Sequence, residues 1–205
     1  MRLLLVRHAE TDYNNKGIFL GWIDESLNQN GILQAEKIAK RLKNINIDII
    51  FSSDLKRAKE TAEIINKYHH VKIEFKRELR ERNFGIFQGK PKEKLFDAVK
   101  KSNIEFHKYK PKDGESCLEV QKRVVNFFKK IAKKYSDKTV LIVTHGAVIM
   151  ELLFYLTKLP RNEYRKLEQD KTALNIIKIN KDGTSQIELI NNTDHLNSPL
   201  MSKTR

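Results

Sequence analysis

Two of the six histidines in this chain stand at the ends of short apolar runs, and each has a neighbour that changes what it could do. Leu3-Leu4-Leu5-Val6 leads into Arg7-His8, and Val140-Leu141-Ile142-Val143 leads through Thr144 into His145-Gly146. A third run, Ile47 to Phe51, ends at Ser52-Ser53-Asp54, with Arg57 shortly beyond. A lone histidine after a strand more often caps or hydrogen-bonds than reacts. Arg7 alters that balance, because a charge at the end of a buried strand needs a partner of opposite sign. Arg57 falls in the first turn of a helix, where backbone amides and a guanidinium fork both suit phosphate oxygens. Arg7, His8, Arg57 and His145 together would frame a pocket for a dianionic phosphoryl group. A neutral imidazole there can take the group as a phosphohistidine while the cations spread the charge of the transition state. The departing alkoxide then needs a proton. Glu81, in an irregular segment after a strand, is the preferred acid; Glu10, Glu78 and Glu115 are weaker choices that surface solvation explains as well.

These residues can meet only if the runs carrying them lie side by side. A short apolar run that stops abruptly is the pattern of a buried parallel strand. In open parallel sheets, ligand sites form beyond the carboxyl ends of the strands. Between the runs lie helical stripes: Ala35, Ile38, Ala39 and Leu42; then Leu55, Ala58, Ala62 and Ile65, with Ser52 to Asp54 as cap candidates. Later come Val124, Phe128, Ile131 and Tyr135, and an apolar helix from Val148 to about Thr157. Val71 to Phe75 is a further short strand, and Ala173–Ile179 with Ser185–Ile190 reads as a hairpin turning at Lys181-Asp182-Gly183. Alternating strands and helices imply an α/β sandwich with one antiparallel hairpin at an edge. The polar Asp12–Asn30 loop is longer than an ordinary connection, as functional loops often are. Lys90 to Pro111 is lysine-rich, with a helix expected between Pro91 and Lys101, and is expected to cover the site. The expected organisation is one domain, residues 1–192, and a loose polar tail over 193–205.

Composition narrows the classes. At 205 residues, 40% hydrophobic and 32% charged, the chain suits one globular domain burying roughly 70% of its unfolded surface. No apolar run approaches the ~20 residues of a membrane span, and the N-terminal run meets charge too soon for a signal peptide. The single cysteine, Cys117, allows no internal disulfide, fits a reducing compartment and makes the cytoplasm the default. The formal charge of +14 would suit nucleic acid, yet lysines are interleaved with acids and no recognition motif accompanies them. A basic surface that also favours a small phosphorylated substrate explains it better. His69-His70 lack a carboxylate or thiol at ligand spacing, and no zinc or Walker-type motif is present, so no metal is expected.

The same residues carry a family resemblance. Leu5-Val6-Arg7-His8-Ala9-Glu10-Thr11-Asp12-Tyr13-Asn14 resembles the signature of the histidine phosphatase superfamily, the phosphoglycerate-mutase-like proteins. Ser52 to Ala62, Leu79 to Gly85, Gly114-Glu115-Ser116 and Val143-Thr144-His145-Gly146 resemble its later blocks in the expected order. The resemblance implies His8 as the phosphorylated nucleophile, Arg7, Arg57 and His145 as the phosphate pocket, and Glu81 as acid and then base. It adds Asn14, Leu20, Gly21 and Gly146 as substrate contacts, and it implies a three-layer α/β/α sandwich with a mostly parallel sheet and an antiparallel edge strand, and no metal or other cofactor. Ala9 stands where most members have glycine, and Leu20 where many have a polar side chain, which leaves backbone contact there. The short chain and Gly21-Trp22-Ile23-Asp24 are most similar to small bacterial α-ribazole and broad-specificity phosphatases. A metal-independent phosphomonoesterase is therefore expected. A cofactor-dependent phosphoglycerate mutase is the alternative, and a basic nucleic-acid-binding module on a degenerate phosphatase fold is the rival from another class. α-Ribazole 5′-phosphate is a candidate substrate, and oligomeric state is open, with a homodimer one option.

Overall fold

The computed structural model describes residues 1–197, the side chains of Asn14 and Asn15 excepted. Six strands form one sheet: β1 (Arg2–Arg7), β2 (Ile49–Ser53), β3 (Ile73–Lys76), β4 (Thr139–Thr144), β5 (Leu174–Ile179) and β6 (Ser185–Asn192). Their spatial order is β3-β2-β4-β1-β5-β6. The first four are parallel, with Arg7 opposite Thr144 and Ser52 opposite Val143, so the carboxyl ends of β1, β2 and β4 finish level. β5 runs antiparallel to β1 and β6 antiparallel to β5, so the expected hairpin forms the antiparallel edge of the sheet.

Period-two alternation explains how one sheet holds two helical layers. Leu3 and Leu5 point to the face covered by α4 (Cys117–Lys134) and α5 (Gly146–Thr157), where Val124, Phe128 and Leu152 join them. Leu4 and Val6 point to the other face, against Ile38 and Leu42 of α1 (Gln29–Leu42) and Ala58 and Ile65 of α2 (Lys56–Asn66). All four β1 side chains are buried on both sides, which is why the run reads as continuously apolar. The α/β/α architecture is as the sequence implies.

Local signals set the helix starts. Asn28 caps α1 by accepting from the Gly31 amide at 2.7 Å, and Ser116 with Glu119 forms a capping box at α4. At α2 the expected cap residues fail. Leu55 holds the cap position, Asp54 turns away to Arg80, and the Lys56 amide is taken by Asp24 at 2.7 Å. Arg57 therefore contributes its side chain while a carboxylate already occupies an amide of its turn. α5 also begins two residues early, at Gly146, immediately after His145.

A small third cluster sits outside the sheet layers. α3 (Lys92–Ser102) buries Leu95 against Phe84 and Phe87, and Phe19 and Val99 pack onto them. The Phe19 amide donates to Lys90 and the Gly89 amide to Phe19, tying this segment to the Asp12–Asn30 loop. At the other terminus the expected loose tail begins too early. β6 continues to Asn192, and a single turn, α6 (Asp194–Asn197), is held by a Lys37 Nζ bond to the Leu196 carbonyl and by His195 against Thr172. Residues 198–205 lie outside the described residues.

Candidate active site

The level carboxyl ends of β1, β2 and β4 open onto a cavity of about 820 Å³ whose walls include Arg7, His8, Arg57 and Glu81. Leu20, Gly21 and Gly146 also line it. His145 is fully buried behind them, its ring centroid 5.0 Å from that of His8 at a tilt of 59°. The side chain of Asn14 lies outside the described residues. No metal-ligating cluster of three or more His, Cys, Asp or Glu occurs among the described residues.

Backbone connections fix the two histidines. The His8 amide donates to the Thr144 carbonyl at 2.8 Å, extending the β1–β4 ladder one residue past the strand. The Ala9 amide donates to Thr61 Oγ1, whose hydroxyl donates to the Arg57 carbonyl, so α2 is clamped to the loop after β1. His8 Nδ1 lies 2.7 Å from the Ala9 carbonyl oxygen. A carbonyl only accepts, so Nδ1 carries the proton and Nε2 keeps its lone pair in the neutral ring. Burial, then Arg57 and Arg7, push the His8 pKa well below its ordinary value, and burial and Arg57 do the same to His145. Both rings are neutral at physiological pH.

The two guanidiniums are only partly satisfied. Arg57 donates from its terminal nitrogens to the Ile23 and Gly21 carbonyls, both at 2.8 Å, and its Nε is buried without a partner. Gly21 can offer that carbonyl because its φ of +56° is a left-handed conformation, and a Cβ there would lie 2.2 Å from Gln88 Oε1. Arg7 donates to the Gln169 carbonyl, and its Nε is likewise unpartnered and buried. Both His145 ring nitrogens are in the same condition. Buried polar groups are rarely left unmatched, so these atoms could take an acceptor that enters the cavity. Burial lowers the pKa of both arginines, Arg57 to about 10, with Glu81 acting in the opposite sense on each.

Glu81 follows β3 and a single 3-10 turn, Arg77–Leu79. Its carbonyl accepts from Trp22 Nε1 at 2.7 Å and from Arg123 at 3.0 Å, and one carboxylate oxygen accepts from the Arg82 amide at 2.9 Å. Thr144 Oγ1 donates to the Leu79 carbonyl, which pins this irregular segment to the end of β4. Two of the three weaker acid candidates are occupied. Glu10 accepts from Asn28 and Asn30, and Glu115 is forked by Arg123 and also receives the Asn83 amide.

Residues 3–193 match the model of the histidine phosphatase superfamily (branch 1). The chain belongs to that superfamily and is a phosphatase. It is 38% identical over 149 residues, 73% of this chain and 74% of the relative, to the uncharacterized phosphatase PhoE of Bacillus subtilis. Bacillus stearothermophilus YhfR superposes with a TM-score of 0.87 at 30% identity, covering 95% of this chain and 98% of that one. The phosphoserine phosphatase of Entamoeba histolytica, solved with 3-phosphoglyceric acid, gives 0.85 at 30% identity over 95% and 98% of the two chains.

The phosphatase cavity also holds residues with no role apparent in the sequence. Lys171 lines it from the turn before β5, its pKa lowered to about 8 by burial and then by Arg7 and Lys92. Nothing local marks it: the lysine follows an aspartate in a polar stretch, and only the β1–β5 pairing brings it to Arg7. Arg82 is 1% exposed, with its guanidinium on the Glu115 and Tyr109 carbonyls and on Cys117 Sγ. It was visible as a neighbour of Glu81, but its burial was not. Cys117 itself is on the wall, with burial raising its pKa to about 11, so it stays a thiol.

Proposed function

We propose that the phosphatase hydrolyses a small phosphate monoester through a phosphohistidine on Nε2 of His8. The observation that carries this reading is the His8 tautomer: a proton fixed on Nδ1 by the Ala9 carbonyl, and a lone pair between two guanidiniums. The Nε atoms of Arg7 and Arg57 take phosphoryl oxygens, and His145, neutral before substrate enters, supplies a further ring N–H. These groups stabilise the charge shared by equatorial oxygens in the transition state and are in place before substrate arrives. Glu81 delivers a proton to the leaving oxygen, then takes one from the water that attacks phosphorus and frees His8. The N–P bond forms as the P–O ester bond breaks, and reverses with water's oxygen as the new ligand. No metal is needed, because the arginines supply the positive charge.

The substrate is a small phosphorylated metabolite. α-Ribazole 5′-phosphate is one candidate, supported by the putative α-ribazole-5′-P phosphatase of Escherichia coli, with a TM-score of 0.85 at 26% identity over 94% of this chain and 97% of that one. The test is steady release of inorganic phosphate from α-ribazole 5′-phosphate, phosphoserine and phosphoglycerates with a chelator present. A base-stable, acid-labile phosphoenzyme should be trapped in wild type and be absent from His8→Ala. Turnover that survives His8→Ala would sink the mechanism. Isomerisation of phosphoglycerate without net phosphate release would indicate mutase chemistry instead.

A further inference from the structure

The phosphoryl end uses only part of the cavity. α5 carries His145 at its N-cap and lays Gly146, Ala147, Met150, Glu151 and Phe154 along one wall. At 1.5 Å per residue, Glu151 stands about 9 Å along the helix from His145. Phe84, Phe96 and Phe106 line the same cavity. The lining thus combines the cationic groups around His8, apolar aromatic side chains, and the polar pair of Glu151 and Arg161 further along α5.

Glu151 is the unusual member of that far end. It is 4% exposed, and Arg161 NH1 donates to its Oε1 at 2.6 Å, while its Oε2 is buried with no partner. The pair ties α5 to the turn after it, but one oxygen would suffice for that. An unmatched carboxylate oxygen in a buried wall is costly unless something donates to it. The surroundings say what kind of donor. Burial raises the Glu151 pKa, and Arg161, which pairs with the carboxylate, together with Arg82 and His107 opposes that only in part. The carboxylate is therefore still short of one donor, while a ligand ammonium would meet two guanidiniums. A hydroxyl or amide N–H meets no such opposition.

We propose that Glu151 Oε2 is a recognition site for an uncharged hydrogen-bond donor on the leaving group, carried beyond a flat or apolar portion that fills the phenylalanine-lined slot. This rests on the phosphatase reading above and narrows its substrate class to phosphate monoesters of polar-tipped, hydroxylated leaving groups. Glu151 acts on binding and placement, with no part in bond making.

Three para-substituted phenyl phosphates test it: 4-ethyl, 4-(hydroxymethyl) and 4-(methoxymethyl). Ethyl and hydroxymethyl have nearly the same shape, and only hydroxymethyl donates. Wild-type kcat/KM should favour hydroxymethyl over ethyl by roughly tenfold or more, chiefly through KM, the range expected of a hydrogen bond to a charged group. In Glu151→Gln the Arg161 bond keeps the amide oxygen, so an NH2 faces the slot. The advantage of hydroxymethyl over the acceptor-only methoxymethyl ester should then shrink several-fold. Equal wild-type rates for ethyl and hydroxymethyl would overturn the proposal, as would a preference that Glu151→Gln leaves intact. If that variant fails to fold, the wild-type ratio still decides. Failure of the phosphatase reading would look different: no ester would be hydrolysed, or His8→Ala would hydrolyse all three.

Discussion

The phosphoryl end of the cavity and its outer wall are built in opposite ways. At the phosphoryl end, His8, Arg57 and His145 are at most 2% exposed and hang from strand ends and a helix turn through backbone bonds. In the outer wall, α3 buries a single residue, Leu95, while Phe96 and Phe106 are 49% and 39% exposed. The first region is held by the whole sheet, and the second by a small aromatic cluster and a few bonds to neighbouring segments. Rigid elements preserve the sub-ångström placement that phosphoryl transfer needs, and a loosely anchored cover can change its lining without disturbing it.

That contrast can be broken or sharpened by substitution. The largest effect belongs to His8→Ala, which should lower phosphate release by at least ~10⁴-fold, because no other group at the site supplies the nucleophile. Glu81→Gln should cost roughly 10²- to 10⁴-fold in kcat on esters with poor leaving groups, and less on activated aryl esters that need little protonation. Both leave thermal stability nearly unchanged if the reaction and the fold are as separable as the geometry implies; a melting scan checks it. Leu4→Ala, in the sheet that holds the phosphoryl end, should cost ~2–5 kcal/mol of folding free energy by denaturant titration. Phe96→Ala, by contrast, should cost under ~1 kcal/mol and change KM a few-fold with kcat retained. Equal losses from these two would erase the distinction.

Acid should also separate the regions. Folding holds His8 and His145 neutral, and burial lowers the His195 pKa to about 4, whereas the unfolded chain protonates near ~6.5. The unfolded state then binds more protons once pH drops below that value. Stability is full above about pH 6.5 and falls progressively toward pH 4, which melting temperatures measured across that range will show.

Much of this was legible because of how parallel strands are buried. Leu3 to Val6 are covered on both faces, so the sequence there is a continuous apolar run, and the chain must turn polar where it leaves the sheet. Residues at that boundary, Arg7, His8 and His145, are visible by position alone. Three features were not. Ser52 to Asp54 have cap chemistry, but Ser52 and Ser53 remain in β2 and Asp54 is drawn to Arg80, so Leu55 begins the helix uncapped by a side chain. Lys171 and Glu151 carry no local mark, since one sits in a polar turn and the other in an apolar helix. The end of the chain looked loose because its polar residues hide two long-range anchors, Lys37 and Thr172.

The amino-acid sequence by itself determined the layer architecture and the residues delivered to the carboxyl edge of the sheet, because periodicity and abrupt strand ends are local properties of the chain. The tertiary structure decided which nitrogen of His8 is free, which arginine atoms are left without a partner, and that Glu151, on the wall of the same cavity, keeps an unmatched oxygen. Those depend on hydrogen bonds between residues far apart in the chain, and no local pattern encodes such a meeting.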